Sequence, residues 1–267
     1  MQYEFRPDNS ADMAAICRQY AQRLTGPTDD FWEAHILGAQ LYRICAQGRE
    51  VGRLAVHGGD RATLFDLEPA RRADARALMG RAISELGVRC AFAPTCDEPF
   101  LTLCLEHMTS IAPQACLFDG AQPPAVRPAQ FGRECLRRIS PDELERANRL
   151  TNDFFRDDAT RDSLAAGKQF IYALEQRGQM LGYGIIVPMR TRPLWACGMV
   201  TLSEHRRRGV GRSMQLHLGD ICREHGHVPV SGCWYHNALS RRTIESAGRP
   251  CTTLLMDVRF DSRTVGQ

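Results

Sequence analysis

Val200-Thr-Leu-Ser-Glu-His-Arg206-Arg-Arg-Gly209-Val-Gly211-Arg-Ser-Met214 is the run that decides the fold. Residues 194–201 predict a strand. Val210, Met214, Leu218, Ile221 and Cys222, spaced by threes and fours, predict an amphipathic helix over 209–225 that turns Arg212, Gln215, Asp220 and Glu224 elsewhere. Between strand and helix lies a turn rich in glycine and arginine. A helix start exposes unpaired N–H groups and a partial positive charge. Gly209 and Gly211 let an anion approach that backbone, and Arg206, Arg207, Arg208 and Arg212 add charge-assisted donors worth roughly 1.5–3 kcal/mol each when well placed. The run reads as a pyrophosphate cradle. It is not a Walker loop, because no Gly-Lys-Ser/Thr follows, and it is not G-x-G-x-x-G.

Working outward, residues 228–233 predict a short strand, 237–247 a second helix and 252–260 a last strand. Strand, helix, strand at this spacing implies a mixed sheet with a parallel pair near its middle, where ligands enter beyond the strand C-termini. Upstream, residues 169–182 read as strand, tight turn, strand, and they line up with residues 40–52, the later stretch being one residue longer. A helical stretch precedes each hairpin. Ser10 is a candidate cap for residues 11–24, and Ser140-Pro-Asp-Glu143 is a capping box leading into 144–155. Residues 119–131, with three prolines and few large apolar side chains, read as a linker. The expected organisation is therefore two diverged copies of one unit: 1–120, a linker at 121–132, and 133–267.

Composition narrows the function. At 43% apolar and 24% charged residues the chain is an ordinary globular protein, not a disordered one. No apolar run approaches the ~18 residues that span a bilayer, and the first residues lack a signal-peptide core, so neither a membrane nor a secreted protein is expected. Eleven cysteines without a C-x-x-C pair suit reduced thiols and a cytoplasmic location. Residues 1–125 carry 12 basic and 16 acidic side chains, residues 126–267 carry 22 and 15, so the second half is the one suited to an anion. Lys168 is the one lysine and the arginines form one tight cluster, which fits a compact polyphosphate better than nucleic acid.

R-x-x-G-x-G at a strand–helix junction resembles the acetyl-coenzyme A signature of the GNAT N-acetyltransferase superfamily. Asn237-Ala-Leu-Ser240-Arg-Arg-Thr-Ile-Glu245-Ser-Ala-Gly248 is similar to that family's second motif, at the expected distance after the next strand. The resemblance covers residues 133–260. It implies tandem α/β domains of GNAT type, each a mostly antiparallel sheet with a central parallel strand pair flanked by helices. It further implies that Met199, Val200 and Thr201 pair with the pantetheine arm, that Arg206, Arg207, Arg208, Gly209, Val210, Gly211 and Arg212 hold the pyrophosphate, and that Asn237 and Ser240 border the arm or nucleotide. Asn237 also reads as a plain helix cap. In the first half the matching stretch, Leu67-Glu-Pro-Ala-Arg-Arg72-Ala-Asp74-Ala75-Arg-Ala77, keeps an arginine but sets alanines at the glycine positions and a carboxylate beside them. That copy reads as degenerate, with one coenzyme A expected per chain.

The implied activity is transfer of acetyl from acetyl-coenzyme A to a primary amine, by direct attack in a ternary complex, on a small-molecule or peptide acceptor. An alkylamine has a pKa of about 10, so a base or water chain must take its proton. Many family members place a tyrosine where this chain has Ile244, so no catalytic residue carries over. Tyr235 and His236, directly after the strand, are the candidates, with core packing and plain surface exposure as their ordinary readings. Cys222-x-x-His225-x-His227 has ligand types but no second ligand pair, so no metal is expected. Asp153, Asp157, Asp158 and Asp162 fall where the family lines its acceptor site, though helix capping also explains them. Neither nucleic acid nor membrane is an expected partner, and a homodimer is left open. The rival readings are a noncatalytic acyl-coenzyme A sensor and an arginine-patch nucleic-acid binder.

Overall fold

The computed structural model describes residues 2–121, 127–155 and 160–260. The chain divides into two compact units, Met1–Cys116 with Thr253–Gln267, and Leu117–Thr252.

The first unit contains β1 (Tyr3–Asp8), α1 (Met13–Ala21), α2 (Asp30–Leu37), β2 (Gln40–Ala46), β3 (Arg49–His57), β4 (Arg61–Leu67), α3 (Ala75–Glu85), β5 (Cys90–Pro94), α4 (Glu98–Leu105) and most of β6 (Met108–Asp119). Strands β1 to β4 pair antiparallel in sequence order, and β4 then pairs parallel with β5. Its core joins Ile44, Leu54 and Phe65 of the sheet to Leu78 and Met79 of α3. Asp12, not Ser10, caps α1: its Oδ1 accepts from Ala15 N–H at 3.0 Å, while the Ser10 hydroxyl donates to Asp8.

The second unit contains β7 (Leu136–Arg138), α5 (Leu144–Thr151), α6 (Thr160–Ala165), β8 (Phe170–Gln176), β9 (Gln179–Pro188), β10 (Leu194–Thr201), α7 (Val210–Glu224), β11 (Val228–Trp234) and α8 (Ala238–Ser246). Here β7 to β10 are antiparallel and β10 pairs parallel with β11. One face of the sheet packs on α7 through Trp195, Met214 and Leu218, the other on α5 and α6 through Leu144, Ala147, Leu164 and Ile171. A Cβ on Gly184 would stand 2.6 Å from Met214 Sδ, so glycine there lets α7 lie close on β9. The capping box forms at Ser140, whose N–H donates to Glu143 Oε2 at 3.0 Å, and α5 stops at Asn152 in the left-handed region, φ 52°.

The two hairpins repeat each other closely. Both turn through two residues of positive φ, Gln47 and Gly48 at 51° and 80°, Arg177 and Gly178 at 52° and 77°, as the right-handed strand twist favours. Both carry a bulge three residues before the turn, at Ile44/Cys45 and Leu174/Glu175. Gln40 therefore matches Phe170 and Gly52 matches Gly182 without a gap, and the extra residue expected from aligning Gln40 with Gln169 disappears.

The last strand departs from the expected boundaries. β12 (Cys251–Phe260) runs antiparallel to β5, from Leu255 opposite Pro94 to Arg259 opposite Cys90, and so completes the first unit's sheet, with β6 beyond it. Val258 and Phe260 enter that unit's core, and Arg61 pairs with Asp257 at 2.9 Å. The cause is the free edge of β5, a strand buried along its whole length. The linker also departs from expectation. Gln130 and Phe131 N–H donate to Ser213 Oγ and His217 bonds Phe131 O, which pins this stretch on α7. Residues 122–126 of the linker lie outside the described residues.

Candidate functional site

In the second unit β10 and β11 are paired over Leu194–Val228, Trp195–Pro229 and Ala196–Val230, and then part. Burial along β10 changes at that point: its first four residues are buried and Gly198 to Thr201 are half-buried. A parallel pair would continue by giving the Cys197 carbonyl a backbone donor from β11. Instead that oxygen accepts from Ser231 Oγ at 2.9 Å and Gln215 Nε2 at 3.4 Å. The strands thus form a fork that leaves the β10 backbone at Met199, Val200 and Thr201 open on one edge.

Beyond the open end stands the start of α7. Its cap residue, Gly209, has φ 80°, and no side chain caps the helix. The first intrahelical bond is Ser213 N–H to Gly209 O, so the N–H groups of Val210, Gly211 and Arg212 have no partner within the helix. Arg206, Arg207 and Arg208 are exposed, with Arg207 itself at φ 60°. Arg212 Nε is buried without a partner among the described residues. Uncapped amides, exposed guanidiniums and an orphaned buried donor fit a polyphosphate. The two glycines differ in duty. Gly209 needs its left-handed backbone, and a Cβ there would stand 2.9 Å from Gln130 Cβ. A Cβ on Gly211 would stand 2.7 Å from Thr243 Cγ2 and 3.3 Å from Thr201 Oγ1, so helix packing explains that glycine.

On the other arm, Asn237 caps α8, its Oδ1 accepting from Ser240 N–H at 3.0 Å. Tyr235 is half-buried and His236 exposed, their rings 5.2 Å apart, and neither side chain makes a hydrogen bond among the described residues. Trp234, 59% exposed, packs edge-on to His236 at 4.9 Å. Ile244 is 1% exposed in α8, filling with hydrocarbon the position at which the family resemblance led to the expectation of a tyrosine. Sequence reasoning missed Gln215: it is 1% exposed and reaches into the fork, because a polar residue on the α7 core face has no signature in periodicity. The Cys222, His225 and His227 set does not converge. His225 bonds Ile221 O, His227 stacks on Trp195, and no three ligand-type side chains among the described residues could share a metal. Of the acidic group, Asp157 and Asp158 lie outside the described residues.

The first unit has the same fork, with β4 and β5 paired only over Arg61–Cys90 and Ala62–Ala91. A cavity of about 570 Å³ opens there, lined by Phe65, Asp66, Arg72, Asp97 and Leu103 among others. Its helix start is different. Counted from the helix starts, Asp74 takes the place of Gly209 and Arg76 that of Gly211, so the carboxylate stands at the cap position and not beside it, without making a capping bond. Tyr3 donates its hydroxyl to that carboxylate. Arg23 pairs with Asp66 on the open strand and lies 4.4 Å over the Tyr20 ring.

Residues 9–121 match a family model described as acetyltransferase (GNAT) domain, and residues 133–248 one described as acetyltransferase (GNAT) family. The chain is a tandem GNAT-family protein. Solved structures agree on the fold. An acetyltransferase of the GNAT family from Colwellia psychrerythraea is 14% identical with a TM-score of 0.80, covering 98% of this chain and 100% of its own. A tandem GNAT protein from the clavulanic acid biosynthesis pathway is 18% identical with a TM-score of 0.60, covering 97% and 98%. A GCN5-related N-acetyltransferase from Sphaerobacter thermophilus is 14% identical with a TM-score of 0.62, covering 97% and 95%. No curated protein sequence matches. The family performs acyl-coenzyme A-dependent acyl transfer. No helix among the described residues is long and apolar enough to cross a membrane.

Proposed function

We propose that this GNAT protein is an acetyl-coenzyme A-dependent N-acetyltransferase whose cofactor site is the fork of the second unit. One observation carries the reading: the strands part after three paired positions, and the free edge leads straight to an uncapped, arginine-flanked helix start. The phosphates would lie on the N–H groups of Val210, Gly211 and Arg212, among Arg206, Arg207, Arg208 and Arg212. The pantetheine amides would pair with Met199 to Thr201, with Asn237 and Ser240 on the opposite arm. The acceptor, a primary amine on a small molecule or peptide, attacks the thioester directly in a ternary complex. Tyr235 and His236 are the side chains at hand to move its proton, and neither side chain makes a hydrogen bond among the described residues.

Thermal-shift titration with acetyl-coenzyme A tests the cofactor site. Thiol release across a panel of amines tests the transfer, and Tyr235→Phe and His236→Ala assayed across pH test the two candidates. A noncatalytic acyl-coenzyme A sensor is the second reading, favoured by the buried Ile244 in place of an acid. Tight cofactor binding with no transfer to any amine would select it. Cytoplasmic location and the absence of nucleic-acid or membrane partners belong to the same proposal, resting on cysteine use and on the compact arginine cluster.

A further inference from the structure

Beneath the closed end of the second unit's fork lies a buried cation without a counter-ion. Arg249, 3% exposed, follows α8 and donates from Nη1 to Gln215 Oε1 and Ser231 Oγ, both at 2.8 Å, and from Nη2 to Gln215 O at 2.8 Å. All three acceptors are neutral, and no carboxylate pairs with it among the described residues. The titratable and charged groups around it are Cys197 from β10 and Cys222 and Arg223 from α7, Arg223 being paired with Asp220 at 2.9 Å. Burying an unpaired guanidinium is expensive, and an apolar side chain of similar volume would hold the same space more cheaply. The charge therefore needs a reason outside packing.

The network ends on the reacting region. Ser231 and Gln215, the two groups Arg249 holds, are the two that take the Cys197 carbonyl where the strands part. A coenzyme A with its phosphates at the start of α7 and its arm along β10 runs from Thr201 back toward Cys197, ~13 Å over four strand residues, which brings the thioester to the closed end. We infer that Arg249 is a positioning residue for acyl transfer: it fixes the closed end of the fork through Gln215 and Ser231 and sets an unneutralised positive charge beneath the leaving sulfur. As the amine nitrogen forms its bond to the carbonyl carbon, the C–S bond breaks and its electron pair leaves on sulfur as thiolate. The nitrogen passes its proton to His236 or to solvent water, and a nearby fixed cation favours the negative charge that gathers on sulfur. The buried Cys197–Cys222 pair, 3.5 Å apart, lies in the same field: burial pushes the Cys197 thiol up, while the hydrogen bond with Cys222 and the Arg249 charge pull it down.

The inference rests on the coenzyme A reading of this fork, and its test separates the two. Free coenzyme A is bound to the full chain, and its thiol is titrated by thiolate absorbance against the desulfo-coenzyme A complex, which cancels the protein's own cysteines. In the parent the bound thiol should titrate about one unit below free coenzyme A. Gln215→Glu supplies the missing carboxylate, keeps the acceptor for Arg249 Nη1, and replaces the donor 3.4 Å from Cys197 O by an oxygen. It should raise the bound thiol again by about tenfold in proton affinity, with coenzyme A affinity at pH 6 changing less than about threefold. Arg249→Gln is the second neutralising variant should the first not fold. A purely structural Arg249 would shift melting temperature or affinity and leave the thiol titration unmoved, which overturns the inference, as does a parent thiol titrating like the free one. A parent that binds no coenzyme A overturns the cofactor reading first, and this inference with it.

Discussion

At the end of β10 the chain enters α7 through Gly209 at φ 80°, with nothing capping the helix. At the end of β4 it enters α3 through Asp74 in the right-handed helical region, its carboxylate bonded to the Tyr3 hydroxyl. The frames around these junctions are alike: the same bulged hairpin, the same short parallel pair, the same fork, and a helix capped by Asn237 in one and Asp97 in the other. The fold thus persists where the anion cradle does not. Neither helix has a side-chain cap, so shape belongs to the repeated frame, and the proposed cradle to one glycine, a helix start without a carboxylate and four arginines.

The sharpest way to break this contrast is to write the first junction into the second. Gly209→Asp puts a carboxylate where the phosphates are proposed to lie. It should weaken acetyl-coenzyme A binding by at least about 100-fold, read as a lost thermal shift. The left-handed backbone should also cost about 1–2 kcal/mol of stability. Full stabilisation of the variant by acetyl-coenzyme A would show the cradle to be elsewhere.

The units should also part on pH. Burial, with the Asp30 charge beside it, pushes Asp29 of the first unit up to about 7, and burial raises Asp97 as well. In the second unit, Glu143 is held low by its bond from Arg137 and Glu204 by backbone hydrogen bonding. Between the unfolded value of about 3.9 and a folded value of about 7, the folded chain keeps a proton on Asp29 that the unfolded chain has released. Stability is therefore full below that window and falls as pH rises through it, by roughly 4 kcal/mol at most. Asp29→Asn keeps an acceptor for Trp32 N–H and should flatten the slope in urea titrations at pH 5 and 8. A slope unchanged in the variant would remove Asp29 as its source.

A third comparison asks which glycine serves the anion. Gly211→Ala should destabilise by about 1–3 kcal/mol, because its methyl group meets Thr243 Cγ2, and Thr243→Ser should restore most of that by removing Cγ2. Acetyl-coenzyme A should still stabilise the double variant. If melting temperature recovers and the ligand shift does not, Gly211 belongs to the cradle after all.

Much of this was legible in the chain itself. Periodicity sufficed for β10 and α7, because both are local patterns, and the paired hairpins revealed the duplication. What escaped was nonlocal. Nothing in the alternation of β12 tells which sheet edge it will join, and β5 with its free edge is far away in sequence. Gln215 looks like a surface residue until Arg249 is placed against it. The glycines looked alike because a sequence does not distinguish a residue needing positive φ from one needing room for Thr243. Aligning the arginines set the first unit's helix start one residue out, so Asp74 was read as a neighbour of the cradle and not as its cap.

The smallest expected effect is the most telling about the first unit. Asp74→Gly removes the carboxylate from the start of α3, and if that carboxylate were the sole obstacle, the variant should gain a second coenzyme A. Two further features argue against it. Asp66, which stands on β4 where Val200 stands on β10 when each is counted from the glycine-opposed strand end, brings a carboxylate to the open edge and engages Arg23 there. The charge of the two halves also differs, with 12 basic against 16 acidic side chains in residues 1–125 and 22 against 15 in residues 126–267, so a polyanion meets no favourable long-range potential in the first. Calorimetric titration should give one equivalent of acetyl-coenzyme A for the parent and one for Asp74→Gly, with a stability loss of about 1 kcal/mol as Tyr3 loses its acceptor. Two equivalents in the variant would mean that a single carboxylate separates the junctions. Two in the parent would mean that the first unit was never degenerate.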